Sequence, residues 1–431
     1  MSSATATRPD QKHAAPKRAI IAWVLFDWAY GAFSTIVTTF VFATYYTQGV
    51  AADPTTGAAQ WAGTQAIAGV LIALISVPLG AIADSGGRRR ALLGLCIAAM
   101  VAATFGLWFV RPTQSDAVLA LVLVGIGTVA FEVAVVFYNA MLPDLVAPAR
   151  LGRLSGLAWG AGYAGGLVCL ALSLVLLVSP KPPLFGLDAG QAEPVRATAL
   201  LAGAWLALFS WPVVVFVPDQ APRAPWGAAI RTGLAEIGRV LRGVMANRPL
   251  RRFVVSRMLY IDGLTTLFAF GGIYAAGQFG LSAQDVLVFG IALNVTAGLG
   301  AALFAFIEDR IGPKITILVA VFGLAGLSLG LLLTHDIAVF WALGLALGVF
   351  VGPAQAASRS LMARMAPASS RGAYFGLFAL SGRVTGFAGP LVLSIVTALT
   401  HSERAGMAVI VVFLALGAVG MLRVSAPRAE L

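Results

Sequence analysis

Apolar residues run along this chain in long blocks, and short polar or charged stretches separate the blocks. The blocks differ from the short periodic stripes that would cover a globular core. Segments of about 18 or more apolar residues with few charges are typical of membrane-spanning helices. Twelve such segments are predicted, at 20–46, 61–83, 91–110, 116–142, 154–178, 197–217, 251–277, 284–307, 315–334, 337–363, 372–399 and 404–423.

The predicted fold class is an all-α integral membrane protein with twelve transmembrane helices in two pseudo-symmetric six-helix bundles. A long connection divides the apolar segments into six and six. The predicted division is a cytoplasmic N-terminal tail (1–19), a first bundle (20–217), a cytoplasmic linker (218–250), a second bundle (251–423) and a C-terminal tail (424–431).

The linker contains a segment, 225–246, with helical periodicity. Its arginines are predicted on other faces than its apolar stripe, so the helix is expected to lie along the inner membrane surface. A plain connecting helix is the alternative. The stripe consists of Trp226, Ile230, Leu234, Ile237, Leu241 and Val244.

Composition supports the membrane assignment and explains the charge. Of 431 residues, 59% are hydrophobic and 11% charged, whereas soluble domains carry about 25% charged residues. The net charge of +11 does not indicate nucleic acid, because most of the 29 Lys and Arg residues fall in segments on one side of the predicted helices. That asymmetry predicts both termini in the cytoplasm of a bacterial inner membrane, with basic side chains facing lipid headgroups.

Motifs for a metal, a cofactor or catalysis are missing from the sequence. The two cysteines, Cys96 and Cys169, lie in predicted helices and have no metal-ligand spacing. GAGYAG at 160–165 fits the pattern of a dinucleotide loop, but no strand precedes it, so its glycines are interpreted as close helix contacts. We therefore expect no metal, no cofactor and no enzymatic activity.

The two halves of the chain repeat each other. GAIADSGGRRR at 80–90 ends the second predicted helix, and AFIEDRIGPK at 305–314 ends the eighth. Four glycines in and just before the fifth segment recur at a constant offset in the eleventh; they are Gly152, Gly156, Gly162 and Gly166. Two similar bundles in parallel repeat are the plan of a transporter that rocks about a central site.

The charged turn after the second helix carries specific chemistry in Gly80, Asp84, Gly87 and Arg88. Gly80 permits close helix approach, and the Asp84 carboxylate can accept hydrogen bonds from free N–H groups at the start of a neighbouring helix. For Arg89 and Arg90 a purely topological role is preferred.

This turn resembles the signature loop of the major facilitator superfamily. The resemblance covers essentially the whole chain, given twelve helices and the repeat. It implies that Asp84 caps the eleventh helix and that Arg88 bridges to an acid at the inner end of the fourth, where Asp144 stands in FYNAMLPDL. The second-half copy departs from the pattern at Ala305 and Pro313, so a weaker latch is expected there. Its remaining candidates are Asp309, Arg310, Gly312 and Lys314.

A narrower resemblance joins the chain to the vacuole-effluxer branch, related to autophagy-linked amino-acid exporters. It rests on FDWAYGAFSTIVTTFVFATYY, FYNAMLPDL, RMLYIDGLTTLFAFGGIYAAG and SRSLMAR. These stretches fall in helices one, four, seven and ten, which line the cavity in this superfamily. The resemblance therefore implies solute chemistry at those helices.

Asp27, Glu132, Asp262 and Arg383 lie deep in predicted spanning segments, near one level. Each would cost about 2.5–3.5 kcal/mol at a helix centre, so we expect them to face one another or a shared aqueous cavity. Either Arg383 simply neutralises Asp262 or Glu132, or an acid without a permanent partner carries a proton. Three acids against one arginine leave two acids unpaired.

The favoured hypothesis is a zwitterionic solute held between Asp27 and Arg383, since a guanidinium binds carboxylates bidentately. Arg257 and Arg359, nearer the inner helix ends, are interpreted as snorkelling topology or gate residues. Polar lining of the pathway is expected from Tyr30, Tyr138, Asn139, Tyr260, Asn294 and Gln355.

These observations predict a monomeric secondary transporter for an amino acid or similar zwitterion, working by alternating access, with a proton as a candidate coupling ion. Proton-coupled efflux of amphipathic drugs is the alternative within transport. A non-transporting membrane sensor is the alternative from another class. For the predicted transporter, the expected partners are a small-molecule solute and membrane lipid, and no nucleic acid is expected.

Overall fold

The computed structural model of the protein describes residues 15–219 and 223–425. Most of the predicted N-terminal tail, residues 1–14, and most of the C-terminal tail, residues 426–431, lie outside the described residues, as do 220–222 of the linker. Within the described ranges every regular element is helical.

The first half contains six long helices that match the first six predicted segments. Each is longer than its apolar core, because polar caps and terminal turns extend it. These helices are α1 (Lys17–Val50), α2 (Pro54–Gly86), α3 (Arg89–Phe109), α4 (Gln114–Leu145), α5 (Pro148–Val178) and α6 (Glu193–Phe216).

The linker and second half follow the same plan with one exception. The helices are α7 (Trp226–Ala246), α8 (Arg248–Phe279), α9 (Ala283–Ile311), α10 (Pro313–Leu333), α11 (Ile337–Met365), α12 (Arg371–Ser381), α13 (Ala388–Thr400) and α14 (Glu403–Leu422). In the described part of the chain, eleven helices are long and apolar enough to cross a membrane.

The predicted eleventh segment is a broken helix, which the sequence analysis missed. Residues 382–387 are not helical and separate α12 from α13. Gly382 and Gly386 weaken a helix here, and the ring of Pro390 would clash with the carbonyl of residue 386 in a continuous helix. We call residues 382–387 the break.

The first helix is also irregular. After an α-helical stretch, Lys17–Ala32, it continues as a π-helix over Phe33–Phe40 and again over Tyr46–Val50. Asp53 then caps α2, accepting the backbone N–H groups of Thr55 and Thr56 at 3.0 and 2.9 Å. This cap satisfies donors that a helix start leaves free.

One end of the helices gathers the described chain ends and the linker. The backbone of Ala15 bonds to Leu145 at the end of α4, and Arg223 bonds to Gly86 at the end of α2. Arg252 of α8 donates to the carbonyl of Arg423. We call this end the linker end; the sequence predicts it to be cytoplasmic.

The linker helix α7 buries Ala229, Gly233, Val240 and Val244, so of its predicted apolar stripe only Val244 is buried. Ala229 and Gly233 are buried against α2. Of the predicted stripe, Trp226, Ile230 and Leu234 are 43–49% exposed. The exposed apolar face is compatible with a position of α7 along the membrane surface, which stays a prediction.

The two halves meet through equivalent helix pairs. Helix α2 packs on α12, and α5 packs on α9. At the first pair Gly80 permits the close approach, because a Cβ there would lie 2.1 Å from the carbonyl oxygen of Gly372. At the second, a Cβ on Gly156 would meet Ala305 at 2.6 Å.

Candidate solute pathway and linker-end gate

Asp84 joins the two halves at the linker end. Its carboxylate accepts the backbone N–H groups of Gly372 and Ala373, both at 3.0 Å, at the start of α12. The side chain is buried, and an acid at a helix N-terminus satisfies free donors and complements the helix dipole. The expected cap of the broken eleventh helix is therefore present in this structure.

The arginine that accompanies Asp84 is Arg89, so the expectation for Arg88 and Asp144 needs correction. Arg89 is 2% exposed; its Nη2 lies 2.6 Å from Asp84 and its Nη1 lies 3.5 Å from Asp144. Arg88 instead lies over the ring of Trp226 on α7, at 4.7 Å.

The left-handed backbone at Gly87 explains why Arg89, and not Arg88, pairs with Asp84 and Asp144. Gly87 has φ +65° and ends α2, so Arg88 precedes the first turn of α3 and faces the linker helix. Arg89 starts α3 and faces the gap between the halves. The topological role preferred for Arg89 was wrong. Asp144 has a second partner from the other half, Arg371 of α12.

The second half contributes its own contact to the first. Asp309 accepts the backbone N–H of Arg153 at 3.0 Å, and the Arg153 side chain lies 3.3 Å from the same carboxylate. Glu308, which the sequence analysis did not single out, is buried and bonds to the hydroxyl of Ser360. Gly152 makes room for it.

The other predicted latch residues of this half occupy its own bundle. Arg310 is exposed, and Lys314 donates to the carbonyl of Leu422 at 2.9 Å. Gly312 turns the chain between α9 and α10 with φ +83°. The relative strength of the two latches stays a prediction.

Asp27 is paired with Arg359, not with Arg383. The two side chains are 1% and 4% exposed, and Arg359 Nη1 lies 3.1 Å from Asp27 Oδ2. Arg359 also donates to the hydroxyl and carbonyl oxygens of Ser155, at 2.9 and 2.7 Å, and to Asn139 at 3.4 Å. An arginine of the second half is thus embedded in the first half.

Three aromatic rings surround the same guanidinium. Its carbon lies 5.0 Å from the ring centre of Trp23 and 5.7 Å from those of Tyr138 and Trp159. Interpreting Arg359 as a snorkelling residue was wrong, because distance from the helix end does not say which face the side chain takes. The face toward α1 offers a carboxylate and aromatic rings instead of headgroups.

Glu132 and Arg383 form a second ion pair between the halves among the deeply placed charges. Arg383 stands in the break, and its side chain is 36% exposed against 20% for Glu132 on α4. Of the two partners predicted for Arg383, the structure selects Glu132. This pair is accessible, whereas the pair formed by Asp27 and Arg359 is sealed.

Asp262 forms none of the ion pairs found in the described residues. Its Oδ2 accepts the backbone N–H of Gly389 at 2.9 Å, at the start of α13. Its Oδ1 has no hydrogen-bond partner, and the residue is 1% exposed. The expected two unpaired acids are therefore reduced to one. The four deep charges do not share one cavity: two pairs and one cap hold them in separate places.

Tyr30 lies on α1 one turn after Asp27. It is half-buried, and its ring is tilted against that of Phe131, with 4.9 Å between the ring centres. Phe131 directly precedes Glu132 on α4.

Asn294 lies elsewhere, in the wall of a cavity of about 630 Å³ in the second half. It donates to the carbonyl of Gly290 at 2.8 Å. Thr39 and Phe40 of α1 reach the same cavity, whose described lining carries no Asp, Glu, Lys, Arg or His. Gln355 is half-buried on α11 and is not in this lining.

Among the residues that the structure describes, no three His, Cys, Asp or Glu side chains gather as a metal site would require. Cys96 and Cys169 are free thiols.

Residues 58–431 match the sequence model of a family described as vacuole effluxer Atg22 like. The chain belongs to this family. The match begins just inside α2 and includes both linker-end contacts, the break and the second half.

Curated relatives agree with membership of the Atg22-like family. The uncharacterized MFS-type transporter YxiO of Bacillus subtilis is 25% identical over 402 residues, which cover 92% of each chain. Autophagy-related protein 22 of Eremothecium gossypii is 23% identical over 323 residues. That match covers 67% of this chain and 61% of the fungal protein, so the chain spans less than two thirds of that relative.

The fold of this Atg22-like chain is similar to those of solved transporter structures. The proton:xylose symporter XylE, bound to 6-bromo-6-deoxy-D-glucose, has a TM-score of 0.73 at 13% identity and covers 94% of this chain and 95% of its own. The human organic anion transporter MFSD10 (TETRAN) has a TM-score of 0.70 at 16% identity, with 96% and 100% covered. The protein is a major facilitator transporter of the Atg22-like branch.

Proposed function

We propose that the protein is a secondary active transporter that moves a small zwitterionic solute, with an amino acid favoured, by alternating access between two six-helix bundles. The single observation that carries the proposal is the accessible pair of Glu132 and Arg383, which joins the halves across the middle of the molecule. We further propose twelve spans, both termini in the cytoplasm of a bacterial inner membrane, and a monomer in contact with lipid.

The contacts at the linker end support alternating access. Asp84, Asp144 and Asp309 each bond to the opposite half. All three lie at the same end, so this end is closed while the accessible charged pair stands deeper. A rocking transporter must break such contacts to open that end. We assign this arrangement to the state that faces away from the linker.

The accessible pair fits a zwitterion better than it fits a simple ion. A solute ammonium can replace Arg383 as the partner of Glu132, while the solute carboxylate takes the guanidinium fork of Arg383. Both protein charges then stay paired with the solute bound. The sealed pair of Asp27 and Arg359 is expected to hold the halves together in this state, so the earlier hypothesis of a solute between Asp27 and Arg383 is replaced.

Counterflow into proteoliposomes tests the proposal. We expect exchange of labelled neutral amino acids by the wild-type protein, and a loss of about 10-fold or more with Glu132→Gln or Arg383→Gln, since each removes one charge-assisted hydrogen bond to the solute. Glu403→Gln and Arg404→Gln are matched controls, because these residues contact Gln278 at the end opposite the linker. Full activity in both pair variants would contradict the proposed site.

A second candidate is an amphipathic or uncharged solute, as a drug exporter would carry. The cavity beside Asn294 supports it, because its lining is mostly apolar and free of charged side chains in the described residues. Counterflow of drugs and sugars, but not of amino acids, would favour this candidate. Absence of counterflow for every class would favour a sensor.

A further inference from the structure

The break between α12 and α13 is held by two opposite charges on one neighbouring helix. Arg257 of α8 donates through Nη1 to the carbonyl of Phe378 at 2.7 Å and to the hydroxyl of Ser381 at 2.6 Å. Its guanidinium carbon lies 3.5 Å from the centre of the Phe378 ring. A cation therefore stands at the C-terminal end of α12, where a helix dipole favours positive charge.

The matching anion stands at the N-terminal end of α13. Asp262 lies five residues after Arg257 on α8, and its Oδ2 accepts the N–H of Gly389 at 2.9 Å. Gly389 packs so closely that a Cβ would lie 2.1 Å from Thr266 Oγ1 and 3.2 Å from Asp262 Oδ1. Each helix end at the break thus faces a charge of the sign that its dipole favours.

Unlike the Nη1 group of Arg257, which makes two hydrogen bonds, the Asp262 carboxylate has one oxygen without a hydrogen-bond partner. Its Oδ1 is buried with no hydrogen-bond partner, which is costly for an ionised carboxylate. A proton on Oδ1 would remove the charge while Oδ2 keeps accepting from Gly389. The burial and the free oxygen are two observations that favour a bound proton here.

Neighbouring charges already have partners of their own. Arg257 bonds to α12, and Arg383 in the break pairs with Glu132 of α4. Helix α13 carries no ionisable side chain. The other helices that contact α8 carry their charges in contacts elsewhere or toward their ends. Those charges are Arg231, Glu236, Arg239 and Arg242 on α7; Asp285, Glu308, Asp309 and Arg310 on α9; Arg359 and Arg364 on α11; Arg371 on α12; and Glu403 and Arg404 on α14.

We propose that Asp262 is a proton-binding site whose charge controls the break, and through it the pairing of Arg383 with Glu132. Water in the accessible space beside Arg383 supplies the proton, which binds Oδ1. The ionised acid holds α13 through a charge-assisted hydrogen bond, and the neutral acid holds it more weakly. Loosening of the break then moves Arg383, which stands in the break five residues before α13 begins at Ala388.

A proton suits this site better than a metal cation. A hard cation takes about six oxygen ligands. Near Gly389 the structure places three side-chain oxygens, the two of the Asp262 carboxylate and Thr266 Oγ1. The hydroxyl of Thr266 is itself bonded to the carbonyl of Asp262. A single proton needs one oxygen.

This inference rests on the proposed function only in that the pair of Glu132 and Arg383 is taken as the solute site, and its test needs no solute. A cysteine replaces Val384, which is 44% exposed in the break, and a second protein carries one at Leu399, which is 77% exposed near the end of α13. Both are placed in a background without Cys96 and Cys169, purified whole, reconstituted and labelled with a polar maleimide at a series of pH values. The ratio of the two rates cancels the pH dependence of the thiol itself.

We expect the ratio for Val384→Cys over Leu399→Cys to rise about fivefold from neutral to acid pH, as the hydrogen bond to Gly389 weakens. With Asp262→Asn, which keeps an acceptor but not the charge, the ratio should stay high at every pH. Replacing sodium with choline should change nothing. A pH response that survives Asp262→Asn, or one that follows sodium, overturns the proposal.

Infrared spectroscopy gives a second, direct measurement. The carboxylic-acid C=O band that grows as the pH falls should lose one component in Asp262→Asn and keep it in the control Thr334→Ala. If Asp262→Asn does not fold, Asp262→Glu retains a titrating group and must shift the midpoint of the labelling curve. An unchanged midpoint would refute the assignment. Transport can fail while these signals persist, so the two proposals are tested separately.

Discussion

The contact between Gly80 and Gly372 makes a sharp prediction for the linker-end gate. In Gly80→Ala the new Cβ would lie 2.1 Å from the carbonyl oxygen of Gly372, whereas ordinary contact begins near 3.4 Å. Helices α2 and α12 must therefore separate by about 1 Å or more. The same movement stretches the hydrogen bonds from Gly372 and Ala373 to Asp84, which are 3.0 Å long.

The energetic cost follows from those two bonds. A hydrogen bond to a charged group contributes about 1.5–3 kcal/mol, so losing both costs about 3 kcal/mol at the low end. Because about 1.4 kcal/mol is a tenfold change in an equilibrium constant, the closed linker end should lose about two orders of magnitude in population relative to the open one.

Spin-label distances measure this shift. Ala149→Cys and Ala368→Cys place labels on exposed positions of the two halves at the linker end, in a background without the native cysteines. Gly80→Ala should add a longer distance that is minor or undetected in the parent. Gly69→Ala, on the same helix with nothing within 4 Å of its new Cβ, controls for the general effect of alanine in a helix. Identical distributions for the two variants would refute the reasoning.

Three further predictions concern charges. Arg359→Gln leaves Asp27 buried without its cation and should cost about 3–5 kcal/mol in thermal unfolding; adding Asp27→Asn should recover most of the loss, and additive effects would contradict the pairing. Arg89→Gln should open the linker end in the spin-label assay, while Arg88→Gln should change it little; the reverse order would restore the sequence-based assignment. Hydrogen bonds to the first turn of α2 lower the pKa of Asp53, so its stabilisation is present above the unfolded-state pKa and lost as pH falls through the folded-state pKa. Asp53→Ala should remove that part of the acid dependence of thermal unfolding; an unchanged pH profile would contradict the cap.

Much of the fold could be predicted, because burial in lipid demands long apolar helices and the chain provides them. The spans of α2 and α4, for example, contain the predicted segments with a few residues added at each end. The break was missed because Val384 and Phe387 are apolar and long apolar runs flank the break on both sides. A mean hydropathy over a window of residues does not register the backbone preferences of Gly382, Gly386 and Pro390, and those preferences cause the break.

The candidate site could be predicted by residue type but not by pairing. Local spacing predicts that the Asp84 carboxylate, one turn after a close-packed glycine, meets the start of a neighbouring helix; only the family resemblance implied that this is the eleventh helix. Arg89 and Arg359 could not be assigned, because their roles depend on which face of the helix meets the other half. The flanking serines and small residues around Arg359 were a signal that its surroundings are protein, and lipid-facing positions are seldom so polar.

The linker helix also bears on how the halves can move. Its glycines lie against both of them: Gly233 packs on the backbone of Ile82 in α2, and a Cβ on Gly243 would meet the hydroxyl of Tyr374 in α12 at 3.2 Å. The linker helix α7 therefore contacts both halves and is not a flexible connection between them. If the bundles part at this end as proposed, α7 must separate from at least one of its two partners, so residues far from the solute contribute to the barrier of the proposed transport cycle.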